Sequence, residues 1–247
     1  MTVHVLPVDP PRDGLVLSKL PETSPLTEPE ATGLYEAMVA DACTAAVQSG
    51  GSLLVNYRPE DLLPTEHQTG GDPESELRDI VEDAVEDPDD VRFEVQVGSS
   101  HEARVGNTVT HLLRDEDATT VALVDPRAPL LARKDLDSAA MKLRRRDVVL
   151  GPSDRGELHY AGFAEPIDFA GAYTTPVVDT FAARARDADL DVDFLAHRTL
   201  VTTGRDLETL LAVLSARRRA GRIVPTHTTS YLTELGLSVA DDGLTRA

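Results

Sequence analysis

The sequence is poor in aromatic residues, lysine and cysteine, and each scarcity limits what the chain can be. Aromatic residues make up 4% of its 247 residues, and tryptophan is absent. A core of normal size must therefore be filled mainly by valine, leucine and alanine. The single cysteine, Cys43, cannot form an internal disulfide, which is typical of a protein in a reducing cytoplasm.

Long apolar runs are also missing. No stretch approaches the roughly 20 apolar residues that a membrane-spanning helix needs. The first residues, MTVHVLPVDPP, have neither the basic region nor the apolar region of a signal peptide. These absences predict a cytoplasmic protein that does not bind membranes, and they leave homo-oligomerisation open.

Positive charge is scarce relative to negative charge. Asp and Glu number 43 against 24 Lys and Arg, which gives a net charge of -19, and the only lysines are Lys19, Lys134 and Lys142. An acidic, lysine-poor surface suits molar salt, where self-repulsion is screened within about 3 Å. An acidic interaction surface is the alternative, but the charges are spread along the chain, which favours a halophilic protein. Nucleic-acid binding by a basic patch is not expected.

Predicted strands alternate with predicted helices along the chain. This spacing predicts a single α/β domain with a mainly parallel sheet covered on both faces, and residues 221–247 form a C-terminal extension. The predicted strands are 3–8, 52–57, 92–97, 119–124, 148–150 and 192–195. The predicted helices are 28–48, 75–86, 101–114, 135–145, 174–187, 205–219 and 230–235.

The stretch DVVLGPSDRGELHYAG, residues 147–162, is the most informative. It predicts a buried strand, a Gly-Pro turn, a polar loop and a second strand that returns to the core. Polar groups at the carboxyl edge of an α/β sheet are where ligands bind. The alternative is an ordinary connection between two strands.

Familiar catalytic motifs are absent. The seven histidines show no HxH or HExxH pairing, and the sequence has no GxSxG, GxxxxGK[ST] or GxGxxG motif. Cys43 lies in the middle of a predicted helix and is interpreted as a small core residue.

Polar residues at predicted strand ends are the remaining candidates. Asp125 could hold Mg²⁺ or Mn²⁺ against a diphosphate, or it could simply start an Asp-Pro turn; Asp154 offers the same choice. Ser18 and Lys19 follow the first loop, where a compact ammonium suits phosphate, unless Lys19 is only a surface lysine.

A strand-to-helix turn supplies a further candidate. Gly98 precedes Glu102 and Arg104, so backbone N–H groups there could hold an anion. The alternative is that Glu102 and Arg104 belong to a solvated helix face.

Taken together, residues 3–210 resemble the glycosyltransferase-like, selenodomain-associated transferases of the nucleotide-diphospho-sugar transferase superfamily, as a diverged, haloarchaeal-type member. The segments that carry the resemblance are ATGLYEAMVADACTAA, VQVGSSHEARVGNTVTHLL, DVVLGPSDRGELHYAGF and YTTPVVDTFAARARDADLDVDFL. The resemblance implies an A-type glycosyltransferase fold, a Rossmann-like three-layer sandwich that binds a nucleotide or nucleotide-sugar with a divalent metal, Mg²⁺ or Mn²⁺. The site residues it implies are Asp154 for catalysis, Asp125 for the metal, and Pro7, Gly14, Ser18, Lys19, Gln96, Gly98 and Arg104 for the nucleotide and substrate.

The sequence also departs from the family pattern. The leading lysine of the first loop is Leu17, the second acid of the Gly-Ser-Asp-x-Pro-Asp segment falls on or near Ala128, and Asp-Gly-Gly is replaced by Arg155-Gly156-Glu157. The later Asp-Val-Asp-Thr corresponds to residues 200–203, Leu-Val-Thr-Thr. Asp125 alone would give a cation few protein ligands.

Two hypotheses follow. The first is a glycosyltransferase-like or nucleotidyltransferase-like enzyme, which requires Lys19, Asp125 and Asp154 to meet in one cleft. The second is a catalytically degenerate relative that acts as a nucleotide-binding or protein-interaction module. A phospholactate guanylyltransferase type shares the fold but not these motifs.

Overall fold

The computed structural model describes residues 1–240 and 243–246. A seven-stranded sheet with the strand order β3-β2-β1-β4-β6-β5-β7 forms the centre of the molecule. Its strands are β1 (Thr2–Val8), β2 (Ser52–Tyr57), β3 (Arg92–Val95), β4 (Thr120–Val124), β5 (Val148–Pro152), β6 (Leu158–Phe163) and β7 (Val192–Phe194). β6 runs antiparallel to β4 and β5, whereas the other pairings are parallel. The predicted α/β class with a mainly parallel sheet is confirmed.

Helices cover both faces of the sheet, because side chains on alternate positions of the buried strands point in opposite directions. The helices are α1 (Leu20–Thr23), α2 (Glu28–Gln48), α3 (Pro73–Ala84), α4 (His101–Arg114), α5 (Arg133–Leu143), α6 (Val177–Asp187), α7 (Gly204–Arg219) and α8 (Thr226–Glu234). One core contains Leu6, Val55 and Val149 with residues of α2 and α5, and the other contains Val5, Leu123 and Leu150 with residues of α4 and α6. Throughout the described part of the chain, no helix has both the length and the apolar character needed to cross a membrane.

The start of α2 follows directly from the sequence. The Thr27 hydroxyl accepts a hydrogen bond from the Glu30 backbone N–H, and the Glu30 carboxylate accepts one from the Thr27 backbone N–H. This capping box satisfies two of the free donors at the helix start. Cys43 is fully buried in the same helix, as predicted.

Two predicted element boundaries are wrong. The strand predicted over residues 92–97 ends at Val95, because β3 is an edge strand and the Gln96 amide then bonds to neighbouring backbone. Val95 and Val97 are 45% and 62% exposed, and Gln96 between them is buried. The helix predicted from residue 174 begins at Val177, after Pro176, which has no side-chain cap bond.

The last part of the described chain packs on α2. Both oxygens of Asp41 accept backbone N–H bonds from the first turn of α8, at 3.0 Å from His227 and 2.8 Å from Thr228. The Tyr231 hydroxyl donates to the Glu30 carbonyl oxygen at 3.2 Å. Two antiparallel strands, β8 (Leu237–Ala240) and β9 (Gly243–Arg246), follow α8. The sequence predicted only a helix, residues 230–235, in this region.

Candidate functional site

A cleft opens between β1 and β4, where successive strands of the sheet are placed on opposite sides of β1. From β1 the chain builds β2 and β3 on one side, and it then returns to place β4 on the other side of β1. In open α/β sheets such a switch point leaves a crevice at the carboxyl ends of the two strands. Asp9 follows β1 and Asp125 follows β4, so both carboxylates lie at this crevice.

The cleft consists of two adjoining cavities. The first cavity has a volume of about 420 Å³, and the second cavity has about 320 Å³. Four residues line both of them: Leu15, Leu17, Arg127 and Glu157. The two cavities therefore form one continuous cleft, and Arg127 lies between them.

The buried amide of Gln96 holds the Arg104 guanidinium in place in the first cavity. The Gln96 side chain is 6% exposed; its Nε2 donates to the Asn56 carbonyl oxygen at 2.8 Å, and its Oε1 accepts from Arg104 Nε at 2.8 Å. Burial, and then the nearby Arg58, lower the pKa of Arg104, although an arginine remains charged near neutral pH. Among the described residues Arg104 forms no ion pair, so its terminal nitrogens are available to a ligand.

Gly98 helps to position Arg104, although it lines neither cavity. Its φ is 145°, and a Cβ atom there would lie 2.8 Å from the Arg104 backbone nitrogen. Only glycine allows the chain to approach the first turn of α4 so closely. Ser100 caps that helix by accepting a hydrogen bond from the Ala103 N–H. The predicted role of Gly98 in binding is thus indirect in this geometry.

Aromatic rings form one wall of the first cavity. The rings of His101 and Tyr173 meet edge to face with their centroids 4.3 Å apart, and Tyr35 also contributes to the lining. Burial raises the pKa of Tyr35 and Tyr173, and burial followed by Arg104 lowers the pKa of His101. All three rings are therefore neutral at pH 7 and offer flat apolar surface to a base or a sugar.

Asp125 is held by a residue two positions further along the chain. Arg127 Nη2 lies 2.6 Å from Asp125 Oδ2, its Nε lies 3.0 Å from Oδ1, and its backbone N–H donates to Oδ1 at 2.9 Å. The Arg127 carbonyl oxygen accepts from Val201 N–H at 2.8 Å, which fixes the loop from the other side. Asp125, above all, raises the pKa of Arg127. The two side chains form a two-point ion pair at the base of the cleft.

These residues do not fit a divalent metal bound by Asp125. Both carboxylate oxygens already accept hydrogen bonds from Arg127. Within residues 1–240 and 243–246, no group of three or more His, Cys, Asp or Glu side chains is arranged to hold a metal ion. A cation at Asp125 would have to displace the guanidinium and would then lie next to its positive charge.

The second cavity carries charged side chains that are more exposed. Lys19 and Ser18 line it from the first loop, and Asp154 and Arg155 line it from the loop after β5. The side chain of Asp154 is 48% exposed and lies 3.4 Å from His197 Nε2. Arg155 is 65% exposed and lies 3.8 Å from Asp206, whose carboxylate caps α7.

The first loop is anchored beneath the cleft by side chains that do not line it. Arg12 is buried and pairs with Glu60 at 2.6 Å and Glu76 at 2.7 Å. Thr32 donates from its hydroxyl to Asp13 at 2.6 Å. These contacts hold the loop where Lys19 enters the second cavity.

The residues predicted from the sequence mostly meet at this cleft. Lys19, Asp125 and Asp154 line the same composite cleft, but Asp125 belongs to the first cavity and the other two to the second. Gly14 and Gly98 line neither cavity; Gly14 has φ 74° and occupies a turn near His67. Pro7, Gln96 and Arg104 line the first cavity, and Ser18 lines the second.

Several lining residues are not predicted from the sequence. Asp9 follows a buried strand just as Asp125 does, so the same signal could have identified it. Glu157 enters the sequence comparison only as a departure from a family pattern, and no sequence signal predicts Arg127. Its identification required the loop geometry that brings Arg127 back onto Asp125.

No family model and no curated protein matches this sequence. Solved structures do match it. A protein from Desulfovibrio desulfuricans G20 described as a "putative nucleotide-diphospho-sugar transferase" superposes with a TM-score of 0.74 at 20% identity, covering 94% of both chains. The 4-diphosphocytidyl-2C-methyl-D-erythritol synthase of Anaerococcus prevotii DSM 20548 gives a TM-score of 0.50 at 12% identity, covering 87% of this chain and 96% of its own.

The chain therefore has the α/β fold of nucleotide-diphospho-sugar transferase-like proteins. At these identities the similarity defines the fold alone. Function must be argued from the cleft itself.

Proposed function

We propose that this protein is a nucleotidyltransferase-like or glycosyltransferase-like protein that binds a nucleotide or nucleotide-diphospho-sugar in the cleft. The observation that carries this proposal is the continuous cleft at the switch point of the sheet, with Arg104, Arg127 and Lys19 distributed along it. These cations are notable in a chain whose net charge is -19.

The two cavities suit the two ends of such a ligand. The base and ribose occupy the first cavity, against the aromatic wall and near Arg104. The diphosphate passes Arg127, and the group attached to it enters the second cavity beside Lys19 and Asp154. The combined volume is in the range of small-molecule sites. Positive groups fixed along the diphosphate would stabilise the negative charge that develops as it departs.

A second function, a nucleotide-binding module without transfer activity, is favoured by one specific observation. Asp154, the candidate base, is half exposed and next to His197 rather than buried near the cations.

Nucleotide titration in molar KCl tests the proposal. ADP, CDP, GDP, UDP and the corresponding sugar nucleotides are titrated by calorimetry against the protein and against Arg104→Met. We expect at least one to bind, and Arg104→Met to weaken it about 10-fold, because a charge-assisted hydrogen bond contributes about 1.5–3 kcal/mol. Arg114→Met, which removes an exposed arginine outside the cleft, is the matched control.

The same titration separates enzyme from module. Release of free nucleotide from a bound sugar nucleotide, lost in Asp154→Asn while binding persists, supports the enzyme. Binding without any turnover supports the module, and absence of binding by every nucleotide contradicts both.

A further inference from the structure

We infer that Arg127 supplies the positive charge for the diphosphate in this cleft, so that ligand binding requires no divalent metal. The inference rests on the proposed function and specifies how its site works. Asp125 is already bonded to Arg127 and does not fit a metal ion, so Arg127, which the sequence did not predict as a site residue, takes the ligand-binding role.

Both carboxylate oxygens of Asp125 are already hydrogen-bonded. Its Oδ1 and Oδ2 both accept from Arg127, at 3.0 Å from Nε and 2.6 Å from Nη2. The Asp125 and Arg127 side chains are only 20% and 39% exposed, so the pair is partly shielded from water and salt. Molar salt would weaken it less than it would weaken a surface ion pair.

Arg127 keeps hydrogen-bond donors that Asp125 does not use. A guanidinium carries five N–H donors in a planar fork. Nε and Nη2 face Asp125, whereas Nη1 donates to no protein group in the described part of the chain. Because Arg127 lines both cavities, a phosphate at their junction can reach this free edge.

The Arg127 guanidinium is also fixed in position. Asp125 and the Arg127 backbone bond to each other, and Val201 N–H holds the Arg127 carbonyl. A cation fixed before the ligand arrives loses little conformational freedom on binding. Glu157 lines both cavities as well, so one negative charge faces the same junction.

Together these contacts put the Arg127 guanidinium, in place of a metal ion, beside Asp125 as the source of positive charge. A metal at Asp125 would supply positive charge to a diphosphate; the Arg127 guanidinium can supply that charge instead, because it binds Asp125 through Nε and Nη2 and leaves Nη1 for a phosphate oxygen. Lys19 in the second cavity and Arg104 in the first extend the positive charge on either side.

The test measures metal dependence directly. The tightest binder among ADP, CDP, GDP and UDP is titrated in EDTA and in Mn²⁺, using the full chain and the variants Arg127→Met, Arg127→Lys and Arg114→Met. In the wild type we expect the two affinities to agree within about twofold. Arg127→Met should bind about 10-fold more weakly in EDTA and recover affinity in Mn²⁺, because Asp125 is then free to hold the cation.

Two further measurements keep the result interpretable. Mn²⁺ alone is titrated by electron paramagnetic resonance, where the wild type should show no site that Asp125→Asn removes. Arg127→Lys keeps the charge without the fork and should fall between wild type and Arg127→Met, which covers the case that Arg127→Met does not fold.

The outcomes separate the inference from the proposed function. Nucleotide binding that needs Mn²⁺ in the wild type, or a Mn²⁺ site lost in Asp125→Asn, overturns the inference and leaves the proposed function standing. Failure of every nucleoside diphosphate to bind, with or without Mn²⁺, overturns both.

Discussion

The two cavities of the cleft differ in how their charged groups are held. In the first cavity, Arg104 is fixed by the buried Gln96 amide, and Arg127 is fixed by a two-point pair with Asp125. In the second cavity, Lys19 is exposed, and Arg155 reaches Asp206 only at 3.8 Å. One half of the cleft is built in advance of its ligand, and the other half has room to adapt.

For the proposed function, this difference predicts how the two cavities share the selection of a ligand. Fixed donors select a ligand by geometry, whereas exposed side chains contribute charge with little selectivity. We therefore expect the nucleotide to be selected in the first cavity and the attached group to be tolerated more broadly in the second.

Mild acid should destabilise the folded protein through His159 of β6. Its Nε2 lies 3.1 Å from the Ala196 carbonyl oxygen, and burial lowers its pKa to about 4. In the unfolded chain His159 binds a proton near pH 6.5, whereas in the folded protein it stays neutral until the pH approaches 4. The free energy of unfolding therefore has its full value above pH 6.5 and decreases as the pH falls towards 4. From pH 7 to pH 5 the loss is about 2 kcal/mol. Urea unfolding at the two pH values measures it.

The same calculation applies to His4, whose burial also lowers its pKa to about 4. His159→Gln should be less stable at pH 7 but should lose less stability on acidification than the wild type. His111→Gln is a control of opposite sign, because Asp115 raises the pKa of the exposed His111. Equal stability of the wild type at pH 7 and pH 5 would contradict the prediction.

Removing the amide that fixes Arg104 should damage the first cavity. Gln96→Leu has a similar volume but leaves the Asn56 carbonyl oxygen and Arg104 Nε without their partner. We expect nucleotide affinity to fall about 10-fold, since the lost bond involves a charged group. Gln68→Leu removes a different amide, which bonds within the loop 60–71, and serves as the control. An unchanged dissociation constant in Gln96→Leu would show that Arg104 needs no support.

Much of the fold could be predicted from the sequence because its signals are local. The capping box of Thr27 and Glu30 and the apolar run of β4 each depend on neighbouring residues only. The position of β6 between β4 and β5 depends on pairing between distant segments, which no local pattern encodes. The predicted strand 92–97 is too long because an edge strand can end early and turn a polar side chain such as Gln96 inward.

The candidate site was predictable to the level of its loops. Strand ends predicted Asp125 and Asp154 at one edge of the sheet, and the first loop predicted Lys19 near them; the structure places all three along one composite cleft. The pairing of Asp125 with Arg127 was not predictable, because the sequence order Asp-Pro-Arg does not determine whether the arginine folds back or points to solvent. That one side-chain conformation changes the expected chemistry from metal binding to direct phosphate contact.

Removing the charge of Lys19 in the second cavity should have the smallest effect on nucleotide binding. Lys19 forms no ion pair in the described residues and is exposed, so water and salt screen its charge. We expect Lys19→Met to weaken nucleotide binding by about twofold in molar KCl, and by more as the salt is lowered, because screening then decreases. Lys134→Met removes an exposed lysine that lines neither cavity and should leave binding unchanged at both salt concentrations. A loss in Lys19→Met as large as in Gln96→Leu would mean that the second cavity selects the ligand as strongly as the first.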